Sequence, residues 1–493
     1  MTIESAQLGQ PQVAVGSWTA RGVLQSVVGR TAFFAFGYLA TIILARGLGP
    51  VDYGVYGVVM SVLLWIEQTS KSTIAPAAAI LIAKEDHSAT ALQETALFLN
   101  FLLFILLFII LWFTAPLLAD FFKIHGGAGL FRLAALDLPL FGMYAVYRGV
   151  LLGHREFFSV NVADVLYSVA KLVAVVLLLV LWLSVPGALV ANALASIGAL
   201  LFVMSRLSIR MLRPATRLIR PLVLFALPLG VYMLGLQTIA TLDLWLLTWL
   251  SPDQEAPAIG IYVAARNVAI VPSVILMAVS DVLLPSFSHA VATNDAGLAR
   301  RYLQGGVRFL WIIGLPVAFF FILTAQDIMV LLYSASFGEG GAYLRVLILH
   351  ALSLAFITLF ASALSASGQP YLSGAPLFLL IPPALLLNIV LIPRYGAVGA
   401  AYASALTGLL GAIALGVLVY KRFGPLIQGR TFLNVVIAVA LMAGVASQLP
   451  VTGPLSVLFY LGCLAIYGVG LVVLGEVTRR DLEPLGLWRS AVR

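Results

Sequence analysis
Eleven charged side chains sit inside stretches that are otherwise almost wholly apolar: Arg30, Glu67, Lys71, Asp137, Arg148, Asp164, Lys171, Asp243, Arg266, Asp281 and Arg308. A charge at the centre of a bilayer costs about 2.5–3.5 kcal/mol on insertion scales, so each must be paired, solvated or functional. Arg148, Asp281 and Arg308 fall near expected cytosolic ends of spans, where a long side chain can snorkel to water. At about 1.5 Å of rise per residue, Arg30, Lys71, Lys171 and Arg266 fall at successive depths, and Arg46 lies at the outer mouth. Such a ladder of cations suits an anionic substrate, and an arginine fork matches phosphate oxygens two at a time. No acid lies within one turn of Arg30, which favours a functional role for it.

The acids admit two readings. Glu67 and Lys71 are four residues apart on one helix face and can pair directly. Asp243 could pair with Arg266 across halves. Alternatively, Glu67, Asp137, Asp164 and Asp243 could bind a coupling proton or sodium ion. Asp164 and Lys171, seven apart, share a face without touching.

Other chemistry has little support. Cys463 is the only cysteine, which leaves no internal disulfide and no cysteine-clustered metal site. The five histidines form no i,i+4 pair for a metal, so neither a metal site nor a catalytic residue is assigned. The stretch LARGLGPVDYGVYGVV at 44–59 has glycines that do not fit G-x-G-x-x-G. No Gly-Lys dipeptide exists anywhere, so there is no phosphate loop. It reads as a hairpin tip between two spans. The histidines are scattered and the acids form no paired motif, so an intramembrane enzyme is disfavoured. The net charge of +8 comes without a basic patch interleaved with aromatics, so nucleic acid is not expected as a partner.

The elements that must position these residues are membrane helices. Of 493 residues, 62% are apolar and 10% charged, and the mean hydropathy is +1.07. The apolar runs are continuous and near the ~20 residues that span hydrocarbon as a helix, not the alternating pattern of a barrel. The fold class is therefore all-α integral membrane, with about fourteen spans broken at GLGP, SVPG, SPDQEAP, SGQP and PRYG. With a cytosolic N-terminus, seventeen Lys and Arg fall inside and five outside, as the positive-inside bias requires. Both termini are then cytosolic.

Two halves echo one another. GVYGVV (54–59) matches GIYVAA (260–265), and PGALVANALAS (186–196) matches YGAVGAAYASA (395–405), at offsets of 206 and 209. The expected organisation is an N-tail at 1–21, a six-helix half at 22–206 and a basic linker at 207–220. A second six-helix half at 221–420, two further helices at 432–475 and a C-tail at 476–493 complete it. Pseudo-twofold symmetry would relate the halves, and repeat-built transporters bind substrate between them. Tyr38, Tyr144, Tyr147 and Tyr232 could stack on sugars, although interfacial anchoring and packing are the commoner roles of such residues.

LARGLGPVDYGVYGVV resembles the start of polysaccharide-transporter, or O-antigen flippase, proteins of the multidrug/oligosaccharidyl-lipid/polysaccharide exporter superfamily. GVLLGHREF (149–157), AIGIYVAARNVAIVP (258–272), DVLLPSFS (281–288) and PRYGAVGAAYAS (393–404) fit the same family in order. The resemblance implies flipping of an undecaprenyl-diphosphate-linked oligosaccharide from the inner to the outer leaflet of the bacterial inner membrane by alternating access, for surface polysaccharide biosynthesis. It implies cavity cations that meet the diphosphate. Arg30 and Arg266 match those positions best, and Lys71 and Lys171 follow. A polysaccharide polymerase and glycosyltransferases are the partners such a pathway implies. No cofactor is implied beyond a coupling proton or sodium ion. A multidrug or organic-cation exporter, or a lipid II flippase, is the runner-up reading within the same superfamily.

Overall fold
A computed structural model describes residues 15–83, 89–181, 184–207, 214–251, 256–367, 376–426, 429–448 and 454–476. The tails at 1–14 and 477–493 and part of the expected linker (208–213) lie outside the described residues, as does the side chain of Asp281. The described residues are helical from end to end, apart from short turns. The principal helices are α1 (Val15–Lys71), α2 (Ile74–Ala83), α3 (Ala89–Phe121), α4 (Ala128–Ala135), α5 (Asp137–Gly153), α6 (Phe157–Leu181) and α7 (Val185–Arg206). There follow α8 (Thr216–Leu250), α9 (Ala256–Ala292), α10 (Ala296–Leu332), α11 (Gly340–Ala366), α12 (Ile381–Phe423), α13 (Gly429–Gln448) and α14 (Pro454–Val473).

Among the described residues, eleven segments are long and apolar enough to cross a bilayer. Two of them, of 54 and 48 residues, far exceed the ~20 residues of one crossing. Each contains a glycine that no other residue would replace without strain. Gly49 has φ 72° and ψ 174°, and Gly396 has φ 56° and ψ −136°. GLGP and PRYG are thus the points at which two long helices fold. Leu458–Val473 is a further, shorter apolar helix. The expected fourteen spans are one division of these elements.

The chain forms two compact units, and they cut across the halves expected from the repeat. The first comprises residues up to Ile43, Ile66–Phe113 and Arg132–Gly230; the second comprises Leu44–Trp65, Thr114–Phe131 and Val231 onward.

In the first unit, α5 packs on α2 and α7, and α6 packs on α7. The motif GVLLG supplies the α2–α5 contact. A Cβ at Gly149 would come within 2.8 Å of the Ala75 carbonyl, and one at Gly153 within 3.1 Å of Ala79 Cα. Small residues four apart let two membrane helices approach closely where lipid supplies no hydrophobic driving force.

In the second unit, the two echoed stretches pack on each other. A Cβ at Gly260 would lie 1.8 Å from the Pro50 carbonyl oxygen, and one at Gly57 would lie 2.8 Å from Val263 Cγ1. The hairpin tip therefore seats directly on α9. Around it, α11 packs on α9, α10 and α12. The last two helices, α13 and α14, bury Val435, Ala438, Met442, Cys463, Tyr467 and Leu471 against one side of α10.

Candidate functional site
Most of the described ionic groups inside the spans gather into three clusters, two in the first unit and one in the second.

The first cluster joins α5 to α6. Arg148 holds Asp164 with a two-pronged grip, Nε to Oδ1 and Nη2 to Oδ2, both at 2.7 Å. The Tyr144 hydroxyl donates to the same Oδ1 at 2.6 Å. Arg148 is therefore not a snorkelling side chain, as its place near a span end had suggested. It is the partner that pays for Asp164. Tyr144 is buried and stacks on Tyr167 with ring centroids 5.8 Å apart. Its hydroxyl and ring are both engaged within the protein.

The second cluster joins α1, α5 and α7, and it is acidic. Glu67 and Asp137 are 0% and 1% exposed and lie within hydrogen-bonding reach of each other. Asn192 Nδ2 donates to Asp137 Oδ2 at 2.5 Å, and Tyr167 donates to Asn192 Oδ1 at 3.3 Å. The Ser196 hydroxyl lies beside Asp137. Glu67 does not pair with Lys71, although the two are four residues apart. Among the described residues, both Glu67 carboxyl oxygens lack a hydrogen-bond partner. The reason is local. Lys71 is the last residue of α1, and its ammonium turns to the Phe141 ring, 5.9 Å from the centroid, near Arg148 and Asp164.

The third cluster lies in the second unit and joins α8, α9, α11 and α12. Asp243 Oδ2 accepts from the Tyr262 hydroxyl at 2.6 Å and from Ser404 at 2.9 Å. Its Oδ1 accepts from the Leu244 backbone N–H at 2.8 Å and faces Arg266 Nη1 at 3.8 Å. Arg266 also donates to the Ala240 carbonyl. His350 stands close by, its Nδ1 2.7 Å from the Ser404 carbonyl. The Asp243–Arg266 pair expected across halves thus forms inside one unit, between consecutive helices. Tyr262 and Arg266 both come from the AIGIYVAARNVAIVP stretch, and Asn267 of that stretch donates to the Tyr53 hydroxyl at 2.9 Å.

The basic candidates divide by how their donors are spent. Arg46 donates to the Leu332 carbonyl from Nε at 2.8 Å and to the Leu331 carbonyl from Nη2 at 2.5 Å. It caps the last turn of α10, where helix carbonyls have no intrahelical partner. Arg266 is occupied as described above. Arg30 is exposed on α1 and is engaged with a neighbour. Lys71 and Lys171 are half-buried, and neither makes a hydrogen bond or ion pair among the described residues. Lys171 acts on Glu67 and Asp137 through its charge alone.

Arg308, also expected to snorkel, instead binds the Glu476 carboxylate from Nε at 3.0 Å. This contact ties α10 to the residues following α14. Glu476 lies beyond the last span. Burial pushes its carboxyl up, but hydrogen bonds from Thr431, Asn434 and Arg308 outweigh this and hold it below the usual range.

A family model for polysaccharide biosynthesis proteins matches residues 19–291. The chain belongs to that family. The match runs over the acidic pair, the Arg148–Asp164 cluster and both Asp243 and Arg266. Within the wider set of relatives, the chain is 25% identical to the uncharacterized membrane protein YabM of Bacillus subtilis, over 65% of this chain and 64% of that one. It is 26% identical to the probable flippase AglR of Haloferax volcanii, over 46% of this chain and 49% of that one. The chain thus spans about two thirds or less of the curated relatives it matches. Among solved structures it shares its fold with the lipid II flippase MurJ in an inward closed conformation, with a TM-score of 0.79 at 14% identity, over 94% of this chain and all of that one.

Proposed function
We propose that this protein is a flippase that moves an undecaprenyl-diphosphate-linked oligosaccharide from the inner to the outer leaflet by alternating access, for surface polysaccharide biosynthesis. The observation that carries this reading is the pair Lys71 and Lys171 in the first unit. They are two ammonium groups at membrane depth, half-buried, with no acid bonded to either. A cation inside a span is retained when it has work to do, and a diphosphate is the headgroup chemistry that two such charges and the exposed Arg30 would meet. The name of the family and the flippase relatives support the substrate class. The lipid tail of such a substrate is at home in the bilayer, so only the charged and sugar-bearing headgroup needs a path.

This reading modifies the ranking of the site. Arg46 and Arg266 have their donors on backbone carbonyls and on Asp243, so they serve as positioning residues. Lys71 and Lys171 take the diphosphate, and Arg30, exposed but with a partner of its own, is a further contact for it. A multidrug exporter would favour acids, not cations, at the half-buried positions. A lipid II flippase would need the same diphosphate-binding cations, so the sugar is what separates it from the main reading. In this proposal the protein works in the bacterial inner membrane with both termini cytosolic, beside the glycosyltransferases that build its substrate and a polymerase that uses it. Coupling to a proton or sodium gradient supplies the direction.

The test is reconstitution of the full chain in liposomes with a labelled undecaprenyl-diphosphate oligosaccharide. Flipping that falls at least tenfold in Lys71→Ala and Lys171→Ala, with normal membrane insertion, is the expected result. Flipping at the wild-type rate by both variants would remove the diphosphate assignment. Lipid II flipped in preference to the oligosaccharide would favour the second reading.

A further inference from the structure
Glu67 and Asp137 pose a problem that the cations do not answer. Both oxygens of Glu67, Oδ1 of Asp137 and the Ser196 hydroxyl oxygen are buried without a hydrogen-bond partner among the described residues. Two ionised carboxylates are acceptors only, so they cannot bond to each other. Side by side, away from water, they cannot both carry charge. One proton between them resolves the accounting. A protonated Glu67 donates to Asp137 Oδ1, and the Ser196 hydroxyl donates to a carboxyl oxygen beside it. Asn192 already holds Asp137 Oδ2 from the other side.

We propose that Glu67 and Asp137 share one exchangeable proton, and that this buried pair is a proton-binding site of the first unit. The pair draws one carboxyl from α1, one from the first turn of α5, and its amide and hydroxyl neighbours from α7. Loss of the proton leaves two like charges between helices that otherwise pack closely. The charged groups that face the pair are Lys171 from α6 and Lys71 from α1. Tyr167 of α6 reaches it through Asn192. The Lys71 and Lys171 ammonium groups, assigned above to the diphosphate, are thus the charges that the proton's departure would attract. Gain and loss of that proton would tune how strongly the lysines hold an anion. This consequence rests on the flippase reading; proton binding itself does not.

The experiment uses the purified full chain in detergent, without substrate. The folded pair keeps a proton that the same carboxyls release when exposed to neutral water, so stability must fall as pH rises. One proton corresponds to a tenfold change in the unfolding equilibrium per pH unit. The wild type should therefore lose thermal stability as pH rises above the ordinary carboxyl range, and Glu67→Gln, whose amide can donate to Asp137 at any pH, should lack that slope. Infrared spectroscopy of the wild type at neutral pH should show a protonated-carboxyl band that is absent from Glu67→Gln and from Asp137→Asn. The same pH slope in wild type and both variants, with no such band, would overturn the proposal. So would stabilisation of the wild type by sodium chloride but not by potassium chloride at equal ionic strength, which would make the occupant a sodium ion. If Glu67→Gln does not fold, the wild-type band and Asp137→Asn decide. Flipping measured separately in liposomes distinguishes failure of this site from failure of the transport reading.

Discussion

Asp243 in the second unit and the Glu67–Asp137 pair in the first are both acids buried at membrane depth, but they are held in opposite ways. Asp243 receives two hydroxyls, a backbone N–H and a guanidinium. Both oxygens are hydrogen-bonded, the guanidinium stands at ion-pair distance, and the cluster knits four helices together. The Glu67–Asp137 pair accepts one amide hydrogen bond and leaves three carboxyl oxygens unpartnered among the described residues. A saturated acid is a structural anchor. An under-saturated one is an invitation to a cation or a proton, since an unmet buried polar group costs far more than a typical hydrogen bond returns. The first unit also contains a saturated acid, Asp164, so the difference belongs to the donor sets and not to the unit as a whole.

The contrast is broken most severely at its anchored end. Asp243→Ala strands Arg266, Tyr262 and Ser404, and removing one partner of a buried pair costs about 3–5 kcal/mol. Thermal unfolding of the purified protein should show this as the largest loss, accompanied by poor yield. Arg148→Ala comes next. It removes two charge-assisted bonds from Asp164, which is 22% exposed and so partly rescued by water, for a loss of about 1.5–3 kcal/mol in the same measurement. Gly49→Ala tests the tip instead of the charges. Its φ of 72° with extended ψ is a region nearly reserved to glycine, so about 1–3 kcal/mol is expected, read from the same thermal unfolding.

At the under-saturated end the sign should differ. Glu67→Gln supplies a donor where one was missing, and at neutral pH its thermal stability should lie within about 1 kcal/mol of wild type. A loss as large as that of Asp243→Ala would show that the two acids are equivalent. The smallest effect belongs to Glu476. Its carboxyl is held below the usual range, so its contact with Arg308 stabilises at neutral pH and is lost as pH falls through that lowered value. Arg308 is 32% exposed, which limits the contact to about 1 kcal/mol. Limited proteolysis of α13 and α14 at acid and neutral pH should detect the release, and Arg308→Ala should remove the pH dependence.

Much of this was visible along the chain. Runs of apolar residues marked the spans, and GLGP and PRYG marked the folds in the two longest helices. The echo of 54–59 at 260–265 pointed to two stretches that in fact lie against each other, through Gly57 and Gly260. The list of charges inside the membrane was also complete for the acids that matter. Their partners were harder to read. Glu67 and Lys71 satisfied the i,i+4 rule, yet α1 ends at Lys71 and the ammonium turns to Phe141. Arg148 and Arg308 lay near span ends, where snorkelling is cheap, yet each has a carboxylate that sequence distance hid: Asp164 is 16 residues away and Glu476 is 168 away. The stretch GVLLG stood out only through the family resemblance, but its glycines are the seam between α2 and α5.

The sequence by itself determined that the chain is a bundle of membrane helices, where those helices break, and which charges must be accounted for inside them. Hydropathy and glycine or proline punctuation are local properties, and one chain carries them openly. Which acid is saturated and which is left wanting was decided only by the tertiary structure. Donors for Asp243 arrive from residues 262 and 404 with the guanidinium of 266 beside them, and the groups that surround Glu67 come from 137 and 171. Packing alone determines whether a buried oxygen meets a hydrogen.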